Sequence, residues 1–178
     1  MTIKTPGSGF SLVELLVTMI IVSVGVLGVA SLQIRSLQQN REAFFRAEAS
    51  YLANGMMDRI RANRQAVYNL TIAQATPIAA TSCVLLNCNS AQMAIYDIAQ
   101  WQCSIRSVNA AGATYLICGQ LGVTGALPLG SGRVTQSAAT PLLYQVEVRW
   151  AADSFATLCG SRTVAQPACQ SIVIQAQL

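Results

Sequence analysis

The chain has 178 residues, of which 53% are hydrophobic and only 10% charged, with a formal net charge of +4. Soluble domains carry about 25% charged residues, so this composition fits one domain plus a membrane segment and a surface that packs against other proteins. With no histidine in the chain, Ser-His-Asp and Cys-His catalytic arrangements are excluded, and so is the commonest metal ligand.

Residues 1–9 are small and polar, with a single charge at Lys4. The character then changes abruptly. From Phe10 to Leu32 the sequence FSLVELLVTMIIVSVGVLGVASL is almost unbroken hydrocarbon with no proline. A helix of about 20 such residues spans a bilayer. Gly25 and Gly28 are its weak points, each costing about 1 kcal/mol relative to alanine, and either one is a candidate site of helix distortion. A secretory signal peptide fits poorly, because its small residues follow a short apolar run, whereas here Gly7-Ser8-Gly9 precedes a long one. A plain single-span anchor leaves Glu14 unexplained. An acid near the centre of a membrane helix costs about 2.5–3.5 kcal/mol and marks a functional position. If the chain is cut between Gly9 and Phe10, the new amine lies one helical turn from Glu14. An α-amine carries a positive charge at neutral pH, and the first turn of a helix favours an anion.

The stretch Gly9-Phe10-Ser11-Leu12-Val13-Glu14-Leu15-Leu16-Val17 resembles the processing site of type IV prepilins. The resemblance implies that a membrane-bound prepilin peptidase cuts after Gly9, that Phe10 becomes N-methylated, and that Glu14 serves methylation and register in a growing filament. It also implies a cytoplasmic leader and an outward C-terminus. The positive-inside rule leaves orientation open, since Lys4 lies on one side of the apolar run and Arg35, Arg41 and Arg46 on the other. Many major pilins have a proline within this helix; this chain does not.

Beyond Leu32, apolar residues recur at Leu37, Phe44, Phe45, Tyr51, Leu52, Met56 and Ile60, mostly at amphipathic helical spacing. One helix is therefore expected from Phe10 to about Asn63, roughly 80 Å long at 1.5 Å per residue. The expected organisation is a leader over 1–9, a transmembrane and assembly half over 10–33, an amphipathic half over 34–64 and a head over 65–178. Arg59, Arg61 and Arg64, beside Asp58, read either as a solvated helix end or as a site for DNA or anionic lipid.

Gln65 to Ser82, rich in Ala and Thr with one proline, reads as a linker or irregular wrap. Asn89 or Ser90 is positioned to cap a helix whose Ala94, Ile95, Ile98, Trp101 and Ile105 form an apolar core face. The period then shortens. Tyr144, Val146, Val148 and Trp150 alternate with Gln145, Glu147 and Arg149, and Ile172, Ile174, Ala176 and Leu178 alternate with polar neighbours. Both are half-buried strands. Thr114–Cys118 and Arg133–Thr135 read as shorter strands, with a turn at Gly130-Ser131-Gly132. Helices followed by strands give an α+β fold, type IV pilin-like, with the long N-terminal helix packed on an antiparallel β-sheet head.

The six cysteines, Cys83, Cys88, Cys103, Cys118, Cys159 and Cys169, form no CxxC unit. An even count downstream of an export segment points to disulfides in an oxidising compartment. Fifteen pairings are open; joining neighbours, Cys83–Cys88, Cys103–Cys118 and Cys159–Cys169, is the arrangement expected here.

Several further marks resemble the minor pilins called type IV pilus modification protein PilV: LANGMMDRIRANR within Ala43–Arg64, the segment Ala94 to Trp101 with Asp97-Ile98, the turn Leu127-Pro128-Leu129-Gly130-Ser131-Gly132, and Val146-Glu147-Val148-Arg149-Trp150. These marks serve either fold maintenance or, at Asp58-Arg59-Ile60-Arg61, docking of partner pilins. The resemblance implies a minor pilin that primes pilus growth in a tip complex. Its partners would be the prepilin peptidase, other minor pilins, the major pilin and the assembly machinery. It would be held in the inner membrane by a single pass with its C-terminus in the periplasm, and then in the pilus at the cell surface. A type II secretion pseudopilin shares the leader and is the alternative; a membrane-anchored DNA- or ligand-binding protein is a second. No catalytic, cofactor or metal residues are expected, because the acids of the head, Asp97, Glu147 and Asp153, are too scattered in sequence to read as an acid–base pair.

Overall fold

The computed structural model describes residues 11–70, 76–80, 82–84, 86–109, 111–140, 142–151, 159 and 169–178. Two compact units divide at Arg41/Glu42. Gly9, Phe10 and Asp153 lie outside the described residues.

The described part of the first unit is helical from Leu12 onward. Helix α1 (Leu12–Ala62) has 51 residues and begins with Glu14 in its first turn. Its large apolar side chains from Leu12 to Ile34 are solvent-exposed. The hydroxyls in this run turn back on the helix: Thr18 Oγ1 donates to the Leu15 carbonyl, Ser23 Oγ to Met19 and Ser31 Oγ to Gly28. Such back-bonding is tolerated in helices, and in lipid it removes the cost of an unsatisfied polar group.

In the second unit the last turns of α1 bury Ala49, Leu52, Ala53, Met56, Met57 and Ile60. Full burial of a side chain such as Ile60 or Met56 is worth about 1.5–3 kcal/mol. Phe45 packs against this cluster from a partly buried position. Leu37, Phe44 and Tyr51 belong to the expected apolar series but are exposed. They fall off the buried stripe because 49, 52, 53, 56, 57 and 60 follow the three-and-four spacing of a single helix face.

Helix α2 (Ser90–Ile105) opens with a capping box. Asn89 Oδ1 accepts from the Gln92 amide at 2.9 Å, and Gln92 Oε1 accepts from the Asn89 amide at 3.0 Å; such caps are worth about 1 kcal/mol. Its core face is Ala94, Ile98, Trp101 and Ile105, all buried. Ile95 was expected on that face but is 45% exposed: one residue along a helix is a rotation of about 100°, which carries it off the stripe.

The run Thr114–Cys118 is not a strand. Thr114 makes an isolated bridge with Val108, and Leu116–Leu121 forms a short helix, α3, closed by Gly122 in the left-handed conformation (φ 64°). The β-branched and aromatic residues favour a strand locally. The buried Cys103–Cys118 disulfide, which ties α3 to α2, and the glycine C-cap override that preference.

Strands β1 (Ser131–Gln136), β2 (Leu143–Ala151) and β3 (Cys169–Gln177) form an antiparallel sheet in that order. Val134, Val146 and Ile174 align across it. Ser131 and Gly132, expected in a turn, begin β1 instead. A Cβ at Gly132 would lie 2.5 Å from Trp101 Cη2 and 2.6 Å from Ile105 Cδ1, so this glycine lets the sheet approach α2. The linker contributes Leu70, which bridges Val134 at the outer edge of β1, and the fully buried Tyr68.

The sulfurs pair Cys83 with Cys88, Cys103 with Cys118 and Cys159 with Cys169. Closing a loop of about 15 residues, as Cys103–Cys118 does, stabilises by roughly 3 kcal/mol in the chain-entropy model.

Candidate assembly elements

Two sets of residues carry the motifs of the sequence. In the first unit, Glu14 is exposed in the opening turn of α1, at the head of an exposed apolar run. The helix is long and apolar enough to cross a membrane. An acid here is favoured by the positive N-terminal end of the helix dipole, and no proline interrupts the turns that follow.

In the second unit, the LANGMMDRIRANR stretch and the Asp97–Trp101 stretch meet as a fastening between α1 and α2. Arg59 Nη1 donates to Asp97 Oδ1 at 2.9 Å and to Gln100 Oε1 at 2.7 Å. The Tyr68 hydroxyl donates to Asp97 Oδ2 at 2.7 Å and accepts from Asn63 Nδ2 at 3.1 Å. The indole N–H of Trp101 donates to the Leu52 carbonyl at 2.8 Å. Both Asp97 oxygens are thus occupied, and a part-buried charge has a charged partner. Burial, reinforced by the hydrogen bond to Asp97, pushes the Tyr68 hydroxyl well above the ordinary tyrosine range.

This arrangement changes the reading of the basic cluster. Arg59 is committed to α2, and Arg61 Nη1 pairs with Asp58 Oδ1 at 2.8 Å across an exposed turn. Two of the three arginines that would face DNA or lipid are therefore already neutralised by carboxylates within the subunit.

Glu147 departs from the alternation expected of β2. It is buried, 2% exposed, and accepts from Arg149 Nε at 2.9 Å. On the same sheet face Ser131 is buried, and its hydroxyl donates to the carbonyl of the buried Cys159. The second face of the sheet is therefore covered at this end, and a carboxylate there needs its own cation. Asp97 sits on α2 and Glu147 on β2, each in a separate ion pair.

Of the residues singled out in the sequence, the structure engages Asp97, Arg59 and Trp101 together in the α1–α2 fastening. Tyr68 completes it from the linker. Its only advance signal is an aromatic residue in an Ala- and Thr-rich stretch otherwise read as irregular.

Comparison with known families gives two matches. Residues 7–30 match the prokaryotic N-terminal methylation motif. Residues 31–99 match the family described as type IV pilin Tt1218. The second match runs through the buried half of α1, the linker and most of α2; it includes Arg59, Asn63, Tyr68 and Asp97 and ends just before Gln100 and Trp101. No curated protein and no solved structure matches the chain.

Proposed function

We propose that this type IV pilin-like chain is a minor pilin, incorporated into type IV pili and helping to prime their assembly within a complex of minor pilins. The observation that carries the reading is Glu14, exposed in the first turn of an apolar helix long enough to cross a membrane, within the stretch that matches the methylation motif. In this reading the prepilin peptidase cuts after Gly9 and Phe10 is methylated. The segment 10–33 stays in the inner membrane, with the C-terminus periplasmic, until assembly transfers it to a filament. Helix packing replaces lipid contacts at little net cost, because lipid tails and side chains are similarly apolar. Glu14 meets the positive amine of its own or a neighbouring chain and sets the register. The head is carried on the second half of α1, which Arg59, Asp97 and Trp101 attach to α2. The low charge of the chain suits a subunit that packs against relatives.

The test is twofold. Glu14→Ala should leave the protein made and cleaved but should reduce its recovery in sheared pili by about tenfold, the effect of losing about 1.4 kcal/mol of docking energy; undiminished recovery contradicts the register role. Deletion of the gene should reduce surface piliation while leaving type II secretion intact. The reverse pattern would favour a pseudopilin.

A further inference from the structure

The two edges of the sheet are treated differently. On the outer edge of β1, Leu70 exchanges both backbone hydrogen bonds with Val134, at 2.8 and 3.0 Å. On the other side, the Leu178 amide donates to the Leu142 carbonyl, and Leu143 lies opposite Gln177. Antiparallel bonding alternates, so the even-numbered residues of β3 face β2. Ser171, Val173, Gln175 and Gln177 direct their N–H and C=O groups outward. Among the described residues no backbone group meets them.

Natural sheets protect such an edge with lysine, proline, a bulge or a covering segment. The stretch Gln170–Leu178 contains no charged residue, no proline and no glycine, and its register against β2 runs without a bulge. Its N-terminal end is fastened to α1, where Gln170 Nε2 donates to Glu42 Oε1 at 2.8 Å. The remainder is a regular, uncharged edge, with Val173 42% exposed on one face and Ile172, Ile174, Ala176 and Leu178 only partly buried on the other.

We propose that β3 is a pairing edge, and that its occupant is β3 of a second copy of this chain, aligned antiparallel so that the two sheets become one. The strand is self-complementary. A two-fold axis perpendicular to the sheet brings the half-buried row Ile172, Ile174, Ala176 beside its own equivalent and completes its burial, while the uncharged row Ser171, Val173, Gln175, Gln177 runs beside its equivalent on the opposite face. No register sets like charges against each other. The outward amides and carbonyls then gain the partners that an unpaired edge lacks. The pairing involves no residue of the cleavage motif and stands or falls independently of the filament reading.

The full-length chain, purified in detergent, is examined by sedimentation equilibrium over a dilution series, together with Val173→Pro and Gln175→Lys. The nitrogen of residue 173 points away from β2, so proline there removes an outward donor without breaking the internal ladder. Lysine at 175 places a charge on the edge and on its two-fold mate. The expected result is a wild-type dimer and, for both variants, dissociation constants raised by at least about tenfold with the near-UV circular dichroism of the head unchanged. If Val173→Pro perturbs that spectrum, Gln175→Lys alone decides. A wild-type chain that stays monomeric across the series overturns the proposal, as does a dimer that Gln175→Lys leaves equally tight.

Discussion

Replacing Asp97 by alanine removes the acceptor at the centre of the α1–α2 fastening. The loss can be sized from its contacts. Asp97 Oδ1 takes a 2.9 Å bond from Arg59, and Oδ2 a 2.7 Å bond from the Tyr68 hydroxyl. The Asp97 side chain is 12% exposed and that of Arg59 34%. Breaking a fully buried pair costs about 3–5 kcal/mol. Arg59 retains access to water and keeps Gln100 as an acceptor, which lowers the figure, whereas the Tyr68 hydroxyl is left in the core without its acceptor, costing about 1–3 kcal/mol. The expected net loss is about 2–3 kcal/mol, which for a head of this size lowers the melting temperature by roughly 6–12 °C. Near-UV circular dichroism of the detergent-solubilised chain reads this directly, because Trp101 and Trp150 are both buried in the head. The double variant with Arg59→Ala should lose less than the sum of the single variants, with a coupling of about 1–2 kcal/mol. A single variant within about 0.5 kcal/mol of wild type, or strict additivity in the cycle, would refute the claim that these residues hold the two helices together.

The elevated Tyr68 pKa gives a pH signature. The neutral hydroxyl is favoured in the folded chain, so its contribution is complete below the ordinary tyrosine pKa of about 10 and is lost as pH rises beyond it, where the unfolded chain ionises first. Chemical denaturation between neutral pH and about pH 11 should show a falling stability that Tyr68→Phe flattens; an equal slope in the variant would contradict the assignment. Gly132→Ala should destabilise the head by about 1–3 kcal/mol, because the added methyl meets the Trp101 ring at 2.5 Å. A thermal melt unchanged by this substitution would show that the sheet does not approach α2 as closely as described.

Long-period signals made much of this architecture readable in advance. The apolar run and the amphipathic stretch after it make one uninterrupted helix, and alternation marked β2 and β3, because burial of one face imposes a period that survives along a whole element. Local signals were less decisive. Thr114–Cys118 has strand-forming residues, yet a disulfide to α2 and a C-capping glycine make the following stretch helical. Gly132 looks like a turn residue, but it serves close packing inside a strand. Glu147 falls on the face that the alternation leaves to solvent and is buried all the same, because that face of the sheet is covered near Ser131 and Cys159; the covering depends on residues distant in sequence. The role of Asp97 was equally hidden, since its partners lie 38 and 29 positions away in the chain. Leu37, Phe44 and Tyr51 were legible as apolar but not as exposed. Periodicity places a residue near a stripe, and only packing decides which side of its border is covered.

Processing at the N-terminus is the premise on which the assembly role rests, and mass spectrometry of the N-terminal peptide from native membranes tests it most directly. The account predicts a peptide that begins at Phe10 and carries one added methyl group. A mature protein that still begins with residues 1–9 would contradict it and leave a head domain tethered by an ordinary membrane helix.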